Sequence, residues 1–235
     1  MRFQRDAFIN KVFELAEKDP SVYFISADFG APALDQFREK LPDQFIHAGI
    51  SEQNMIDVAA GLALDGNRVY VYAMAPFITL RCYEQLKCSL AMMNLPVTVI
   101  AVGPGLGYAD AGPTHYLTED FACLRALVQC EVYSASDSVI SEKIAELTYQ
   151  KPACRVIRLE RDASSDIYTD LQVDLDRGYT ELRPGEETCI ISYGFTLQKI
   201  LKNYEAIAEG SEIGVIDFYR AKEINLSACE QLLEK

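Results

Sequence analysis

The amino-acid sequence predicts an α/β fold: a doubly wound, mostly parallel sheet followed by a partial second α/β domain. Short apolar runs that are typical of buried strands alternate with segments whose apolar residues recur at helical spacing. The run from Pro96 to Val102 is almost continuously apolar, as expected for a strand in the middle of a parallel sheet. Because this alternation ends near residue 162, we assign residues 1–162 to the first domain, 163–186 to a connector and 187–235 to the partial domain.

The elements of the first domain follow from apolar periodicity and from the turn residues between them. Asp19-Pro20 ends the first helix, Asp65-Gly66-Asn67 forms a turn, and the glycine-rich stretch 103–107 turns a strand into a long loop. The predicted helices cover residues 6–18, 77–92, 119–127 and 139–148, and two more begin at residues 31 and 52. The predicted strands cover residues 22–26, 45–48, 68–73, 96–102, 131–134 and 155–160.

The chain changes character after the first domain. Residues 162–176 are acidic and polar without a helical stripe, which indicates a connector. Strands at 188–192 and 213–217 and helices at 197–208 and 226–233 then follow. Two strands are too few for an independent domain. Either this segment packs on the first domain, or the chain stops partway through a second one.

The composition excludes several classes of protein. A net charge of -13 argues against a nucleic-acid surface, and no apolar run is long enough for a transmembrane helix. The N-terminus lacks the apolar core of a signal peptide. The seven cysteines contain no Cys-x-x-Cys pair and the chain has only two histidines, so we expect no metal site. These features predict a cytoplasmic protein with reduced cysteines.

The stretch 44–55 contains the most informative local pattern. A strand runs into Gly49, and the apolar residues that follow at helical spacing are Ile50, Met55, Val58, Ala59, Leu62 and Ala63. Ser51 or the residue beside it can cap this helix, which places Glu52 in the first turn, beside the positive end of the helix dipole. Either Glu52 caps its own helix or it hydrogen-bonds a ligand. Asp28, at the end of a predicted strand, likewise either lies at a ligand site or caps the next helix.

Eight short motifs carry a resemblance to a known family. They are Ser26-Ala27-Asp28, Gly49-Ile50-Ser51-Glu52-Gln53-Asn54-Met55, Phe77-Ile78-Thr79-Leu80-Arg81, Glu84-Gln85, Asn94-Leu95, Gly112-Pro113-Thr114-His115, Glu119-Asp120 and Arg158-Leu159-Glu160-Arg161. This order resembles that of transketolases, most closely the C-terminal subunit of split, two-gene transketolases. The resemblance covers the pyrimidine-binding domain of thiamine diphosphate enzymes, residues 1–162, and continues more weakly through residues 187–235.

The resemblance implies which residues bind the cofactor. Glu52 is expected to hydrogen-bond the aminopyrimidine ring of thiamine diphosphate, because a carboxylate removed from bulk water can share a proton with a ring nitrogen. Phe77 is expected to pack on that ring, and Met74 stands where the family has a further aromatic wall. Asp28 matches an aspartate that lies near the cofactor at the boundary between subunits.

The resemblance also implies a set of substrate-binding residues. His115 matches a histidine that faces the substrate and the reactive carbon, where an imidazole can polarise a carbonyl or move a proton. Arg5 and Arg161 match arginines that hold the substrate phosphate with a rigid fork of donors. The alternatives are a loop histidine bonded to a backbone carbonyl and two surface charges.

Several positions depart from the family pattern. Ala111 stands where the family has an aspartate that binds a substrate hydroxyl, unless Asp110 replaces it by a local shift. Gly103 stands in place of a histidine, and Tyr116 stands in place of a glutamine. These departures concern the binding of the standard ketose phosphate donors, whereas the two arginines are compatible with a phosphorylated substrate.

The motif that binds the diphosphate and its metal does not occur in this sequence. In the family it reads Gly-Asp-Gly followed by an asparagine, whereas the nearest string here, Leu64-Asp65-Gly66-Asn67, lacks the first glycine. We therefore expect an N-terminal transketolase-like subunit to carry the diphosphate together with magnesium or calcium. The expected assembly is a homodimer or a heterotetramer.

The leading hypothesis is a subunit of a thiamine diphosphate-dependent transketolase that transfers a two-carbon ketol unit between sugars. The alternatives are a subunit similar to 1-deoxyxylulose-5-phosphate synthase, a 2-oxo acid dehydrogenase β-like subunit, or a non-catalytic interaction module of the same fold. A module that had lost catalysis would not need Glu52, Phe77 and His115 together, so their joint presence favours an enzyme.

Overall fold

The computed structural model describes residues 1–27, 30–169, 173–185 and 187–233. Two sheets with packed helices make up this part of the chain. The helices are α1 (Gln4–Ala16), α2 (Asp35–Lys40), α3 (Glu52–Leu64), α4 (Ala75–Ile78), α5 (Tyr83–Gln85), α6 (Asp120–Arg125), α7 (Ser138–Gln150), α8 (Gly194–Lys202), α9 (Tyr204–Ala208) and α10 (Leu226–Leu233). The strands are β1 (Val22–Ala27), β2 (Phe45–Gly49), β3 (Arg68–Met74), β4 (Val97–Val102), β5 (Glu131–Ser134), β6 (Arg155–Leu159), β7 (Thr180–Arg183), β8 (Thr188–Ser192), β9 (Ile213–Asp217) and β10 (Arg220–Lys222).

The main sheet is doubly wound and mostly parallel, which confirms the predicted fold class. Its strand order is β10-β5-β6-β4-β3-β1-β2, and β10 alone pairs antiparallel with its neighbour among these strands. The chain leaves β1 toward β2 at one edge, whereas it leaves the adjacent β3 toward β4 in the opposite direction. Such a switch point leaves a crevice at the carboxyl ends of the two strands, where open α/β sheets bind their ligands.

Both faces of the main sheet are buried, which explains why its strands are nearly continuously apolar. Phe24 and Tyr70 pack with α1 and α7 on one face, and the alternate residues Ile25 and Val71 pack with α3 on the other. This period of two follows from strand geometry. The sheet therefore holds the switch point between two rigid layers of helix.

Two of the apolar residues that follow Gly49 at helical spacing are exposed: Ile50 and Val58. Ile50 precedes α3 and lies in the bend before it, so helical periodicity does not apply to it. Val58 lies off the stripe of α3, in which Met55, Ile56 and Ala59 are buried. Glu52 lies on the buried stripe, because it precedes Met55 by three residues and Ile56 by four.

The helix predicted at 77–92 is interrupted: α4 ends at Ile78 and a turn follows. Helical structure resumes in α5 and continues as a π-helix over Leu86–Ala91. The Thr79 hydroxyl donates to the Ala75 carbonyl at 2.6 Å, and the Cys82 thiol donates to the Phe77 carbonyl at 3.1 Å. These side chains compete with the backbone ladder of a regular helix. The helix predicted at 197–208 is similarly divided, into α8 and α9.

The segment after the first domain packs on it. A smaller sheet has the order β7-β9-β8, and its first strand lies inside the predicted connector. β10 returns to the main sheet beside β5. Asp217 at the end of β9 accepts hydrogen bonds from Ser136 and Tyr168, each at 2.7 Å. The division at 162 and 186 stays a prediction.

None of the helices in the described ranges combines the length and the apolarity needed to cross a bilayer.

Candidate active site

Glu52 lies in the crevice at the switch point of the main sheet. It is the first residue of α3, only 7% of its surface is exposed, and the helix dipole favours a negative charge there. Its Oε2 atom accepts a hydrogen bond from Nη1 of Arg81 at 3.2 Å. The carboxylate lines a cavity of about 260 Å³ whose other lining residues are Ala27, Ile50, Ala73, Met74, Phe77, Arg81 and His115.

Ser51 occupies the N-cap position of α3, but its side chain does not cap the helix. The hydroxyl instead donates to the carbonyl oxygen of Ala48 at 2.5 Å. The expectation that Ser51 caps the helix through its side chain is therefore wrong. Gly49 makes the sharp entry into this turn with a φ of +67°, a conformation that few L-residues adopt.

Phe77 and Met74 form an apolar wall opposite the carboxylate. Met74 is the last residue of β3 and Phe77 lies in the short helix α4, so both side chains are held by regular elements. The guanidinium carbon of Arg81 lies 4.0 Å from the centroid of the Phe77 ring. A flat aromatic ring facing a carboxylate suits a planar ligand that also donates hydrogen bonds.

His115 comes from the long loop that follows β4 and reaches the same cavity. Its ring centroid lies 5.1 Å from that of Phe77, with 67° between the ring planes. Its Nδ1 atom is 3.0 Å from the Thr114 hydroxyl, so Nε2 is the nitrogen that no hydrogen bond recorded in the described residues engages. An imidazole placed in this way can exchange a proton with a ligand in the cavity.

The structure therefore brings Glu52, Met74, Phe77 and His115 together, as the motifs predict. Asp28 lies outside the described residues, and its predicted role stays a prediction. Its neighbour Ala27, at the carboxyl end of β1, lines the cavity.

Arg5 and Arg161 do not line this cavity, and each is paired with a carboxylate. Nε of Arg5 is 2.8 Å from Asp6, while Arg161 makes a fork to Asp110 at 2.5 and 3.3 Å. The hydrogen bond from Arg161 holds the pKa of Asp110 below its usual range. In this structure Asp110 therefore pairs with an arginine that the motifs assign to the substrate phosphate.

Tyr108 is a site residue that the sequence did not single out. The Arg161 guanidinium carbon lies 4.6 Å from the centroid of the Tyr108 ring, and the His115 ring centroid lies 6.3 Å from it. Burial raises the pKa of Tyr108, and the charges of Arg161 and Arg5 oppose that shift. Tyr108 thus lies between the predicted substrate residues. A tyrosine in a glycine-rich loop gives no periodic signal by which sequence could find it.

Arg81 is the second residue whose role the sequence did not reveal. It belongs to a family motif, but nothing in its sequence position indicates a bond to Glu52, 29 residues away. The bond forms because the turn after α4 faces the first turn of α3. A search for cations within the motifs would have found Arg81 without revealing its partner.

A larger cleft of about 450 Å³ lies between the loop after β4 and helix α8, and Arg161 is among its lining residues. Arg158 lies at its base, buried in an ion pair with Asp120 at 2.7 Å. Its guanidinium carbon lies 4.0 Å from the ring centroid of Phe121, and burial raises the pKa of the neighbouring Glu160. The motif residues Asp120 and Arg158 thus stabilise the fold rather than face the cavity of Glu52.

Within the described ranges, no three histidine, cysteine, aspartate or glutamate side chains come together as a metal site would require. The chain therefore offers a carboxylate, an imidazole and an aromatic wall to a ligand.

Comparison with known families agrees with this geometry. The profile described as "Transketolase, pyrimidine binding domain" matches residues 4–165. The chain is 29% identical to one subunit of the apulose-4-phosphate transketolase of Phocaeicola vulgatus, over 98% of this chain and 75% of that protein. It is 31% identical to a 1-deoxy-D-xylulose-5-phosphate synthase of Saccharophagus degradans, over 90% of this chain but only 32% of that enzyme.

Solved structures show the same fold. A split gene transketolase, described as an inactive beta4 tetramer, superposes with a TM-score of 0.81 at 26% identity, over 93% of this chain and 71% of that chain. A transketolase mutant from Pichia stipitis also superposes with a TM-score of 0.81, at 17% identity, over 98% of this chain and 36% of that chain. The second likeness concerns the fold alone.

Proposed function

Because this chain belongs to the transketolase family through its pyrimidine-binding domain, we propose that it is one subunit of a thiamine diphosphate-dependent enzyme that transfers a two-carbon ketol unit between sugars. The observation that carries the proposal is the position of Glu52. Its nearly buried carboxylate lies at the switch point of the sheet and shares one cavity with Phe77 and His115. A helix-capping glutamate would not need either neighbour.

The cavity fits the aminopyrimidine half of thiamine diphosphate in its chemistry. Phe77 provides a flat wall for ring stacking, and Met74 adapts its shape beside it. Glu52 shares a proton with a ring nitrogen, and Asp28, outside the described residues, is proposed as a further contact. When bound, the cofactor supplies the nucleophilic carbon that adds to a carbonyl group. This chain orients the ring and shields it from water.

The substrate half of the proposal assigns proton transfer to His115 and phosphate binding to Arg5 and Arg161. His115 lines the cavity, and both arginines lie near Tyr108, whose ring centroid is 6.3 Å from that of His115. Each arginine must exchange its present carboxylate partner for the substrate. The Arg161–Asp110 pair is exposed and readily exchanged, whereas the Arg5–Asp6 pair is half-buried. The names of two relatives, an apulose-4-phosphate transketolase subunit and a 6-deoxy-6-sulfo-D-fructose transketolase subunit, support an anionic sugar, and we favour a phosphorylated one.

The remaining half of the cofactor site is proposed to lie on a partner subunit of the N-terminal type. The absence of the Gly-Asp-Gly motif from the sequence supports this division, as does the likeness to a split gene transketolase. The partner would hold the diphosphate with magnesium or calcium. The assembly that we propose is a homodimer or a heterotetramer. We place the enzyme in the cytoplasm, which the seven free cysteines support.

The test is reconstitution with the product of an adjacent gene that encodes a diphosphate-binding subunit. We expect the chain alone to show no ketol transfer and to bind thiamine diphosphate with magnesium at least about 100-fold more weakly than the complex, because the charged anchor is missing. Isothermal titration and a panel of ketose phosphates measure both properties. Tight cofactor binding by the chain alone would overturn the division between subunits, and an inactive complex that binds no cofactor would overturn the proposed function.

A further inference from the structure

Arg81 makes two contacts inside the cavity that a planar ligand would also need. Its Nη1 donates to Glu52 at 3.2 Å, and its guanidinium carbon lies 4.0 Å from the centroid of the Phe77 ring. A guanidinium group is flat, carries N–H donors along its edge and stacks on aromatic faces. An aminopyrimidine has the same shape and also offers N–H donors along one edge.

The two groups compete for the same contacts, because the guanidinium of Arg81 already bonds Oε2 of Glu52 and lies over the Phe77 ring. The cavity of about 260 Å³ is the free space beside this arrangement. Whichever group lies against Phe77 and Glu52 excludes the other from that position.

We propose that Arg81 occupies the pyrimidine position in the cofactor-free chain and must swing out before thiamine diphosphate binds. This inference rests on the proposed function, since it concerns the same cavity. Arg81 is then a positioning residue: it keeps the buried carboxylate of Glu52 paired until the cofactor takes its place. When the cofactor binds, its aminopyrimidine ring replaces the guanidinium of Arg81 against Glu52 and Phe77.

The surroundings of Arg81 allow its side chain to move without the backbone. The backbone N–H of Arg81 donates to the Pro76 carbonyl at 3.2 Å, and the side-chain amide of Gln53 donates to the Arg81 carbonyl at 3.3 Å. The main chain of Arg81 is therefore held on both sides. Its side chain is 44% exposed and reaches the cavity from the mouth. Rotation about its long stem carries the guanidinium into water, where it is well solvated.

The test uses the full chain and 4-amino-5-hydroxymethyl-2-methylpyrimidine, the pyrimidine half of the cofactor, which needs only the half-site on this chain. In a ligand-observed NMR titration we expect Arg81→Gln to bind the probe about fivefold more tightly than wild type, because an ion pair and a cation–π contact no longer compete. Raising the salt concentration weakens that ion pair. The probe should therefore bind wild type more tightly at high salt than at low salt, and bind the variant equally tightly at low and high salt.

Arg38→Gln is the matched control. Arg38 is 2.7 Å from Asp35 and lies 5.3 Å from the centroid of the Phe45 ring, which are contacts of the same kind outside the cavity. Its loss should leave probe binding and its salt dependence unchanged. Arg81→Ala replaces the glutamine variant if circular dichroism shows that the latter is not folded.

The outcomes separate the inference from the proposed function. Equal or weaker probe binding by the Arg81 variants, with clear binding by wild type, would overturn the stand-in role and leave the pyrimidine site in place. If neither wild type nor the variants bound the probe at millimolar concentration, the pyrimidine site itself would be refuted, and the stand-in role with it.

Discussion

Tyr108 occupies the space that a side chain at position 103 would need. Gly103 has a φ of +77°, and a Cβ atom built there would lie 2.1 and 2.5 Å from two carbons of the Tyr108 ring. Many transketolases have a histidine at the position that Gly103 matches, so the two residues form one departure from the family pattern. The tyrosine thereby places its aromatic ring 6.3 Å from that of His115, measured between the ring centroids.

This coupling predicts that Gly103→Ala lowers the free energy of unfolding by about 2–3 kcal/mol, from backbone strain together with overlap with the ring. Gly105 is the matched control. It has a φ of +63° with nothing within 4 Å of a built Cβ, so Gly105→Ala should cost only about 1 kcal/mol. Urea unfolding measures both. In a double-mutant cycle, Tyr108→Ala should recover part of the loss caused by Gly103→Ala, and strictly additive effects would contradict the overlap.

The strands and helices differ in how well the sequence predicts them, and the reason is physical. β4 is buried on both faces, so its apolar run marks it almost to the residue. The break between α4 and α5 depends on hydrogen bonds from Thr79 and Cys82, which periodicity does not register. The pairing of β10 with β5 joins residues far apart in sequence, and no local pattern encodes it.

The candidate site divides in the same way. Glu52 and Phe77 lie beside a helix start and a strand end whose positions periodicity fixes, whereas only the family resemblance pointed to His115 in its long loop. The partners of Arg81 and Arg161 could not be predicted, because ion pairs between loops depend on the final packing of the chain.

The contact between β9 and the first domain predicts a pH-dependent stability. Burial raises the pKa of Asp217 from 3.8 to about 7, although hydrogen bonds from Tyr168 and Ser136 oppose the shift. A raised pKa means that the folded state holds the proton more tightly than the unfolded state. The contribution of protonated Asp217 to the free energy of unfolding is therefore fully present below about pH 4. It is lost as the pH rises to about 7.

Asp217→Asn removes this titration, so the comparison of the two proteins isolates it. From pH 5 to 7 the wild type should lose unfolding free energy relative to the variant, by at most about 1.4 kcal/mol per pH unit. Above pH 7 this difference should level off. Urea unfolding of both proteins at several pH values measures it, and a difference that stays constant from pH 5 to 8 would contradict the buried, protonated carboxyl group.

At the scale of the whole molecule, the site opens onto a surface that carries an unpacked apolar residue. Ile50 lines the cavity of Glu52 and is 79% exposed. A single exposed apolar side chain is ordinary on a protein surface, but Ile50 would become buried if a partner subunit completed the adjacent site. This position agrees with a cofactor site completed by a partner subunit.

Ile50→Glu should therefore weaken assembly of the chain with its partner, or with itself, by at least about tenfold, because a charge would be buried in the contact. The free energy of unfolding should change by less than about 0.5 kcal/mol, since the residue is exposed in the chain. Val128 is 58% exposed and precedes β5, at the opposite edge of the sheet, so Val128→Glu serves as the control. Sedimentation analysis gives the result, and unchanged assembly of the Ile50 variant would place the contact elsewhere.

The central claim is that the Glu52 carboxylate activates the cofactor, and deuterium exchange at C2 of the thiazolium ring in the assembled complex tests it most directly. Glu52→Gln keeps the size of the side chain, so the complex should still assemble. Exchange should slow by at least about two orders of magnitude, the lower range of what positioned proton transfer contributes. A glutamate that only stabilised its helix would change stability by less than about 1 kcal/mol and leave exchange unaltered. An exchange rate equal to that of wild type in the assembled variant would contradict the catalytic role of Glu52.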